Sequence, residues 1–252
     1  MRSTTKSTKT KKKWFPLESN PNSLNHYISK LGFNTSLYSF VDVYSTDDET
    51  LSYMAQSGSC IGIIMLYPLT EVQEEHRHTE ATLKNENDSE SNEDNIWFIK
   101  QRIGNACGTI GILNTLGNIP QPFINEIAFA PSSWLQNFYK QTPISMDAIE
   151  KAEILESNDE IEKHHDESTS NTQLNQTSRG GIDDKVLTHF ISIVNVNNEV
   201  YELDGRKDGP ICHGQTSEET FLYDGIKVVK KFMARDPNEY RFTILALMPT
   251  QE

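Results

Sequence analysis

Cysteine, basic charge and long apolar runs are all scarce in this chain, and each shortage removes a class of protein. Three cysteines in 252 residues, an odd number, do not make a disulfide framework, and no pair of them has the spacing of a structural zinc site. The longest strongly apolar run, Ile61–Tyr67, is too short to cross a bilayer and reads as a buried strand. No apolar segment follows the basic stretch Met1–Lys13, so the expectation is an unsecreted protein without a membrane span, its thiols reduced, cytoplasmic with a nuclear location also open. Against 23 basic residues stand 36 acidic ones, a net charge of −13. That balance argues against nucleic acid as the main partner and for a basic one. Much of the acid is concentrated in residues 70–95 and 156–181, which are rich in Glu, Asp, Asn and Ser and poor in apolar positions, so part of the charge is a property of loops.

What remains is enough for one sizeable core or two small ones, since 36% of the residues are hydrophobic, and a single domain is the simpler reading. Within it the stretch Gln101–Leu116, QRIGNACGTIGILNTL, sets Cys107 between Gly104 and Gly108 and ahead of Ile110, Leu113 and Leu116 at helical spacing, with Gly117, Asn118 and Pro120 as the stop. Cys107 is thus expected in the first turn of a helix, where unpaired N–H groups and the positive end of the dipole favour a thiolate. Gln101 offers a neutral amide donor that, with the Cys107 N–H, suits an oxyanion. A helix-starting cysteine is also a common packing residue, so a base has to be found elsewhere.

Residues 189–205, HFISIVNVNNEVYELDG, supply one. Two β-prone runs flank Asn197 and Asn198, residues that tolerate the positive φ of a two-residue type I′ turn. With the turn centred on that pair, Val196 faces Glu199, Ile191 faces Asp204, and His189 lies one diagonal step from Asp204 on the same face. A thiol, an imidazole and an orienting carboxylate then follow in the order Cys107, His189, Asp204. Other candidates fail on geometry or context. Cys212 and His213 are adjacent and point to opposite sides of an extended chain. The pairs His76 with His78 and His164 with His165, near Asp166, sit in acidic stretches without cysteine partners, so no metal site is expected, and Cys60 opens an apolar strand as core packing.

Around these segments, Asn20 as cap and Pro21 at the first position open a helix closed by Gly32. Strands are expected at Tyr38–Tyr44, Cys60–Tyr67 and Trp97–Lys100. A helix is expected from Ser145 to about Glu156, and another follows the capping-box pattern Thr216 to Glu219, ended by Asp236 and Pro237. The last strand is expected at Arg241–Met248. Strands and helices without regular alternation predict an α+β layer structure.

The runs KQRIGNACGTIGIL, HFISIVNVNNEVYELDGRKDGP, SEETFLYDGIKVVKKF and RFTILALMP, with WFPLESNPNSLNHYISKLG near the start, resemble the ubiquitin carboxyl-terminal hydrolase family of cysteine peptidases, in its small single-domain branch. The resemblance runs in chain order from about Trp14 to Pro249, fading in the two polar stretches. It implies a papain-like fold, an antiparallel-rich central sheet flanked by helices in a knotted chain, an exception to the usual topology. It also implies that Cys107 is the nucleophile, His189 the acid and base, Asp204 its orienting group and Gln101 an oxyanion donor, with no cofactor. The implied organisation is a basic disordered tail over residues 1–13 and a single catalytic domain over 14–252. That domain would carry an acidic insertion at about 70–95, unstructured by composition, and a loop at about 156–181 that crosses over the active site. The implied activity is thiol-dependent hydrolysis of small or unfolded adducts from the C-terminal glycine of ubiquitin by a monomer. The same chemistry on a ubiquitin-like modifier, a catalytically silent ubiquitin-binding adaptor, and a thiol acyltransferase or transglutaminase are the other readings.

Overall fold

Apolar alternation and two covered faces build one sheet from β1 (Tyr38–Asp42), β2 (Gly62–Pro68), β3 (Thr188–Val196), β4 (Glu199–Leu203), β5 (Ile211–Gln215) and β6 (Thr243–Pro249). A computed structural model describes residues 12–84, 95–120 and 128–251. The strand order is β1-β6-β2-β3-β4-β5, and neighbouring strands pair antiparallel. The middle strands β2, β3 and β6 read as apolar runs because neither face meets water.

The helices in chain order are α1 (Pro21–Leu31), α2 (Asp48–Ala55), α3 (Glu71–Lys84), α4 (Cys107–Leu116), α5 (Trp134–Gln141), α6 (Ala148–Glu156), α7 (Asp159–Ser170) and α8 (Phe221–Arg235). On one face of the sheet Leu24, Ile28, Ile110, Leu113, Phe138, Leu155 and Ile161 pack against Ile64, Phe190, Leu245 and Leu247. On the other, Leu51, Phe221, Ile226 and Val229 pack against Ile63, Met65, Ile191, Ile193 and Ala246. All ten residues of α4 are buried, so this helix runs through the interior rather than over it. Among the described residues no helix is long and apolar enough to cross a membrane.

Local chemistry sets the ends as expected at α1. The Asn20 side chain accepts from the N–H groups of Asn22 and Ser23, Pro21 occupies the first position, and Gly32 closes the helix at φ 100°. The hairpin register is also as computed. Asn197 and Asn198 have φ of 53° and 62°, Val196 pairs with Glu199 and Ser192 with Leu203, so the next step of the ladder sets Ile191 across from Asp204.

Four segments differ from their sequence reading. Trp97–Lys100 is not a strand: the N–H groups of Trp97 and Ile99 donate to the side-chain oxygens of Asn118 and Asn114 at 2.9 and 3.0 Å, so amides at the end of α4 take the place of a neighbouring strand. Residues 71–84 of the acidic stretch form α3, while 85–94 lie outside the described residues. The stretch 156–181 contains α7, because Asn158 caps it at 3.0 Å to the Ile161 N–H and Ile161 and His165, one turn apart, are both buried. Helix α8 starts at Phe221, after the proposed capping box, since Thr216 instead donates to Asp224 Oδ2 at 2.8 Å and Ser217 and Thr220 satisfy each other's N–H groups. Of the basic tract, residues 1–11 lie outside the described residues, whereas Lys13 forms a parallel bridge with Gly104.

Candidate active site

The loop before α4 is shaped by backbone contacts from the N-terminal segment. Trp14 N–H donates to the Gly104 carbonyl and Gly104 N–H to the Lys12 carbonyl, both at 2.9 Å. Asn105 adopts the left-handed region at φ 62° and its side-chain amide donates to the Trp14 carbonyl at 3.0 Å. This reversal delivers Cys107 to the first position of α4, where it is buried at 5% exposure. The next residue is closely packed: a Cβ on Gly108 would stand 3.0 Å from Leu17 and 3.3 Å from Phe190, so those side chains would have to give way.

His189 comes from the start of β3, directly across from Tyr67 of β2, whose ring meets the imidazole edge-on at 5.8 Å between centroids. His189 Nε2 and Asp204 Oδ1 are 2.7 Å apart, and both side chains are buried. Because Nε2 is engaged by the carboxylate, Nδ1 is the ring nitrogen left for Cys107. The diagonal pairing computed from the hairpin therefore closes into a hydrogen bond. Asp204 Oδ1 also accepts the N–H of Arg206 at 2.9 Å.

The electrostatics of the three groups are coupled. Burial pushes the Cys107 thiol up, but the hydrogen bond and charge of His189, with the N–H groups of Phe190 and Gly108, outweigh it and leave the thiol below its ordinary value. Burial would neutralise His189, yet the charge and hydrogen bond of Asp204, followed by those of Cys107, raise it to about 9. Asp204 is driven the other way, since His189 and the Arg206 N–H overcome its burial and hold it at about 2. The site thus favours a thiolate, an imidazolium and a carboxylate in a row.

Gln101 is brought to the same place by its backbone: its N–H donates to the carbonyl of Gly205, next to Asp204, at 2.8 Å. Its side-chain Nε2 donates to the Ile103 carbonyl at 3.2 Å, and its Oε1 is buried with no hydrogen-bond partner among the described residues. The remaining candidates are placed elsewhere. Cys60 is buried, its thiol facing the Gly62 carbonyl at 3.3 Å and pushed by burial up to about 12. Cys212 is exposed on β5, and His213 turns to Glu202 at 3.0 Å. His165 is buried between Thr109 and the Phe15 carbonyl, while His164 lies 3.6 Å from Glu167.

With this geometry in place, the model of ubiquitin carboxyl-terminal hydrolase, family 1, matches residues 14–234. The chain belongs to ubiquitin carboxyl-terminal hydrolase family 1. It is 38% identical to a ubiquitin carboxyl-terminal hydrolase of Drosophila melanogaster over 95% of this chain and 99% of that one. Ubiquitin carboxyl-terminal hydrolase isozyme L1 of Homo sapiens is 35% identical, with 92% of this chain and 96% of that one covered. The fold is that of the Trichinella spiralis UCH37 catalytic domain bound to ubiquitin vinyl methyl ester, with a TM-score of 0.71 at 22% identity over 94% of this chain and 96% of the other. The expected α+β arrangement, an antiparallel sheet flanked by helices, is the one observed.

This family 1 hydrolase also carries a charged group beside Asp204 that the sequence reading passed over: Arg206 and Lys207, paired with Glu74 and Glu80 of α3. Pairs separated by more than a hundred residues leave no spacing signal. The only hint was the two basic residues directly after the hairpin.

Proposed function

We propose that this chain hydrolyses the bond between the C-terminal glycine of ubiquitin and a small or unfolded adduct, with Cys107 as nucleophile, His189 as acid and base, Asp204 as its orienting group and Gln101 as an oxyanion donor. The observation that carries the reading is the buried row of Cys107, His189 and Asp204, with the thiol lowered and the imidazole raised together. A cysteine-type deubiquitinating peptidase needs that poise, because a thiolate attacks the glycine carbonyl and an imidazolium beside it holds the proton for the leaving amine. The oxyanion falls at the start of α4, where the Cys107 N–H has no intrahelical partner. Gln101 joins it by giving up its 3.2 Å bond to the Ile103 carbonyl. Water, deprotonated by His189, then hydrolyses the thioester and frees a carboxylate.

Names of relatives support the substrate, since they are ubiquitin hydrolases.

The test is turnover of a fluorogenic amide on ubiquitin's C-terminus, with a ubiquitin-like modifier in parallel. Wild type should cleave the ubiquitin amide, and Cys107→Ala should bind the substrate without cleaving it. Cleavage of the modifier alone would replace the substrate, and binding without cleavage by wild type would make the chain an adaptor. Gln101→Ala should lower the rate on the order of 10²-fold.

A further inference from the structure

We propose that α3 is a positioning element of the active site: Glu74, acting through Arg206, and Glu80, acting through Lys207, hold the turn that carries Asp204 and so aim its carboxylate at His189. The inference rests on the reading of Cys107, His189 and Asp204 as the reacting groups.

The turn after β4 closes on itself through Lys207 N–H to the Asp204 carbonyl at 2.9 Å, and the orientation of Asp204 depends on the Arg206 N–H that Oδ1 accepts. Arg206 cannot move freely, because its guanidinium forks onto Glu74, Nη1 to Oε1 at 2.9 Å and Nη2 to Oε2 at 2.6 Å. Two parallel bonds fix the plane of the fork as well as its position, which a single ammonium contact would not. The next residue is tied as firmly. Lys207 Nζ donates to Glu80 Oε2 and to the fully buried Glu202 Oε1, each at 2.6 Å.

Helix α3 is itself anchored away from the turn. Gln73 donates to the Phe232 carbonyl of α8 at 2.8 Å, and Arg235 of α8 donates to Glu80 Oε1 at 3.2 Å. The pairs therefore connect the Asp204 turn to a fixed support rather than to a swinging surface chain. Arg206 and Glu74 are about three-quarters buried, and the contacts form a network, both conditions under which ion pairs hold geometry rather than merely decorate a surface. Composition makes the acidic insertion an unstructured one, yet it is α3, folded from its first part, that supplies both carboxylates.

The experiment measures kcat, KM and the pH–rate profile on the fluorogenic ubiquitin amide for wild type, Glu74→Gln, Glu74→Asp, Arg206→Gln and the double variant Glu74→Gln/Arg206→Gln, with melting temperatures alongside. The groups that face the imidazole are Cys107 of α4, Tyr67 of β2 and Asp204, while Glu202, Arg206, Lys207 and the two carboxylates of α3 face Tyr67 or the Asp204 turn instead. A loosened Asp204 gives His189 less of the negative charge that keeps it protonated, and an Arg206 freed from Glu74 adds positive charge nearby. Both lower the imidazolium, so the alkaline limb should move to lower pH in Glu74→Gln. Its kcat should fall about tenfold with KM within about twofold, Glu74→Asp should recover part of the loss, and the double variant should be no worse than the worse single one.

A kcat and an alkaline limb equal to wild type in Glu74→Gln and Arg206→Gln, with only the melting temperature lowered, would overturn the inference and leave α3 as a structural cover. The control separates the two claims: turnover that survives in Cys107→Ala, or is missing from wild type, overturns the site reading and this inference with it.

Discussion

Asp204 uses one oxygen twice, for the His189 imidazole and for the Arg206 N–H. An asparagine could offer an oxygen to both donors in turn, but it lacks the charge that keeps His189 protonated. Asp204→Asn should therefore lower kcat/KM on the order of 10²-fold and draw the alkaline limb below the wild-type position, as pH–rate profiles of the two proteins would show. For wild type that limb should descend through about pH 9, where His189 deprotonates, and the acidic limb should lie below the ordinary thiol range. The linkage to stability has opposite signs at the two residues. His189 is raised, so its contribution is complete below its ordinary value of about 6.5 and is lost as pH rises through about 9. Asp204 is lowered, so its contribution is complete above about 4 and is lost as pH falls through about 2. Cys107, His189 and Asp204 were legible because short-range rules placed each of them: glycines and a helical run for the first, a period-two register about Asn197 and Asn198 for the other two. Arg206 and Lys207 were not, because their partners on α3 are set by packing and not by spacing.

The elements meet closely at Gly205. A Cβ there would stand 2.7 Å from Ile110 and 3.0 Å from both the Cβ and the backbone nitrogen of Gln101. Gly205→Ala should push the Asp204 turn off Gln101, stretch the 2.8 Å bond between them, and cost about 1–3 kcal/mol by denaturant unfolding together with a loss of turnover. Asn118 performs a different service. It accepts from the Trp97 N–H at 2.9 Å and donates to the carbonyls of Trp97 and Asn114, both at 2.7 Å. Asn118→Ala leaves those buried groups unpaired, so unfolding measurements should show a loss of about 1–3 kcal/mol or more. The same contacts explain why Trp97–Lys100 failed as a strand: apolar content placed it in the interior, and side-chain amides on α4 and just past its end then took hydrogen bonds a sheet would have offered. Helix α1 was legible to the residue because its start and stop are local, from the Asn20 cap to Gly32. Helices α3 and α7 were obscured by acidic composition, although each buries polar groups against the body, Gln73 on α3 and His165, Ser168 and Thr169 on α7.

Across the whole molecule, His165 joins the N-terminal segment, α1, α4 and α7. Its Nε2 lies 2.6 Å from the Phe15 carbonyl, which can only accept, so that nitrogen carries the proton. Nδ1 then accepts from Thr109 at 2.8 Å, and Thr109 in turn accepts from the Tyr27 hydroxyl at 3.1 Å. Such a chain needs a neutral imidazole, and burial, outweighing the Phe15 carbonyl and Asp166, depresses His165 to about 4. The depressed value makes its contribution complete above about pH 6.5 and lost as pH falls through about 4, a cost of about 2 kcal/mol between pH 7 and 4.5. Urea midpoints at the two pH values should show that loss in wild type and a smaller one in His165→Gln; equal losses would assign the acid sensitivity elsewhere. This network ties together segments as far apart as Phe15 and His165, just as the pairs on α3 tie Glu74 to Arg206. From its sequence alone this protein already has the helix that begins at Cys107, the hairpin about Asn197 and Asn198 and the register between His189 and Asp204, because helix caps, turn residues and alternation act over a few residues. Only the tertiary structure decided that α3 grips the Asp204 turn, that α7 is folded, and that Trp97–Lys100 leaves the sheet. Those outcomes depend on which distant charges and amides burial brings within 3 Å of one another, and no local pattern encodes that distance.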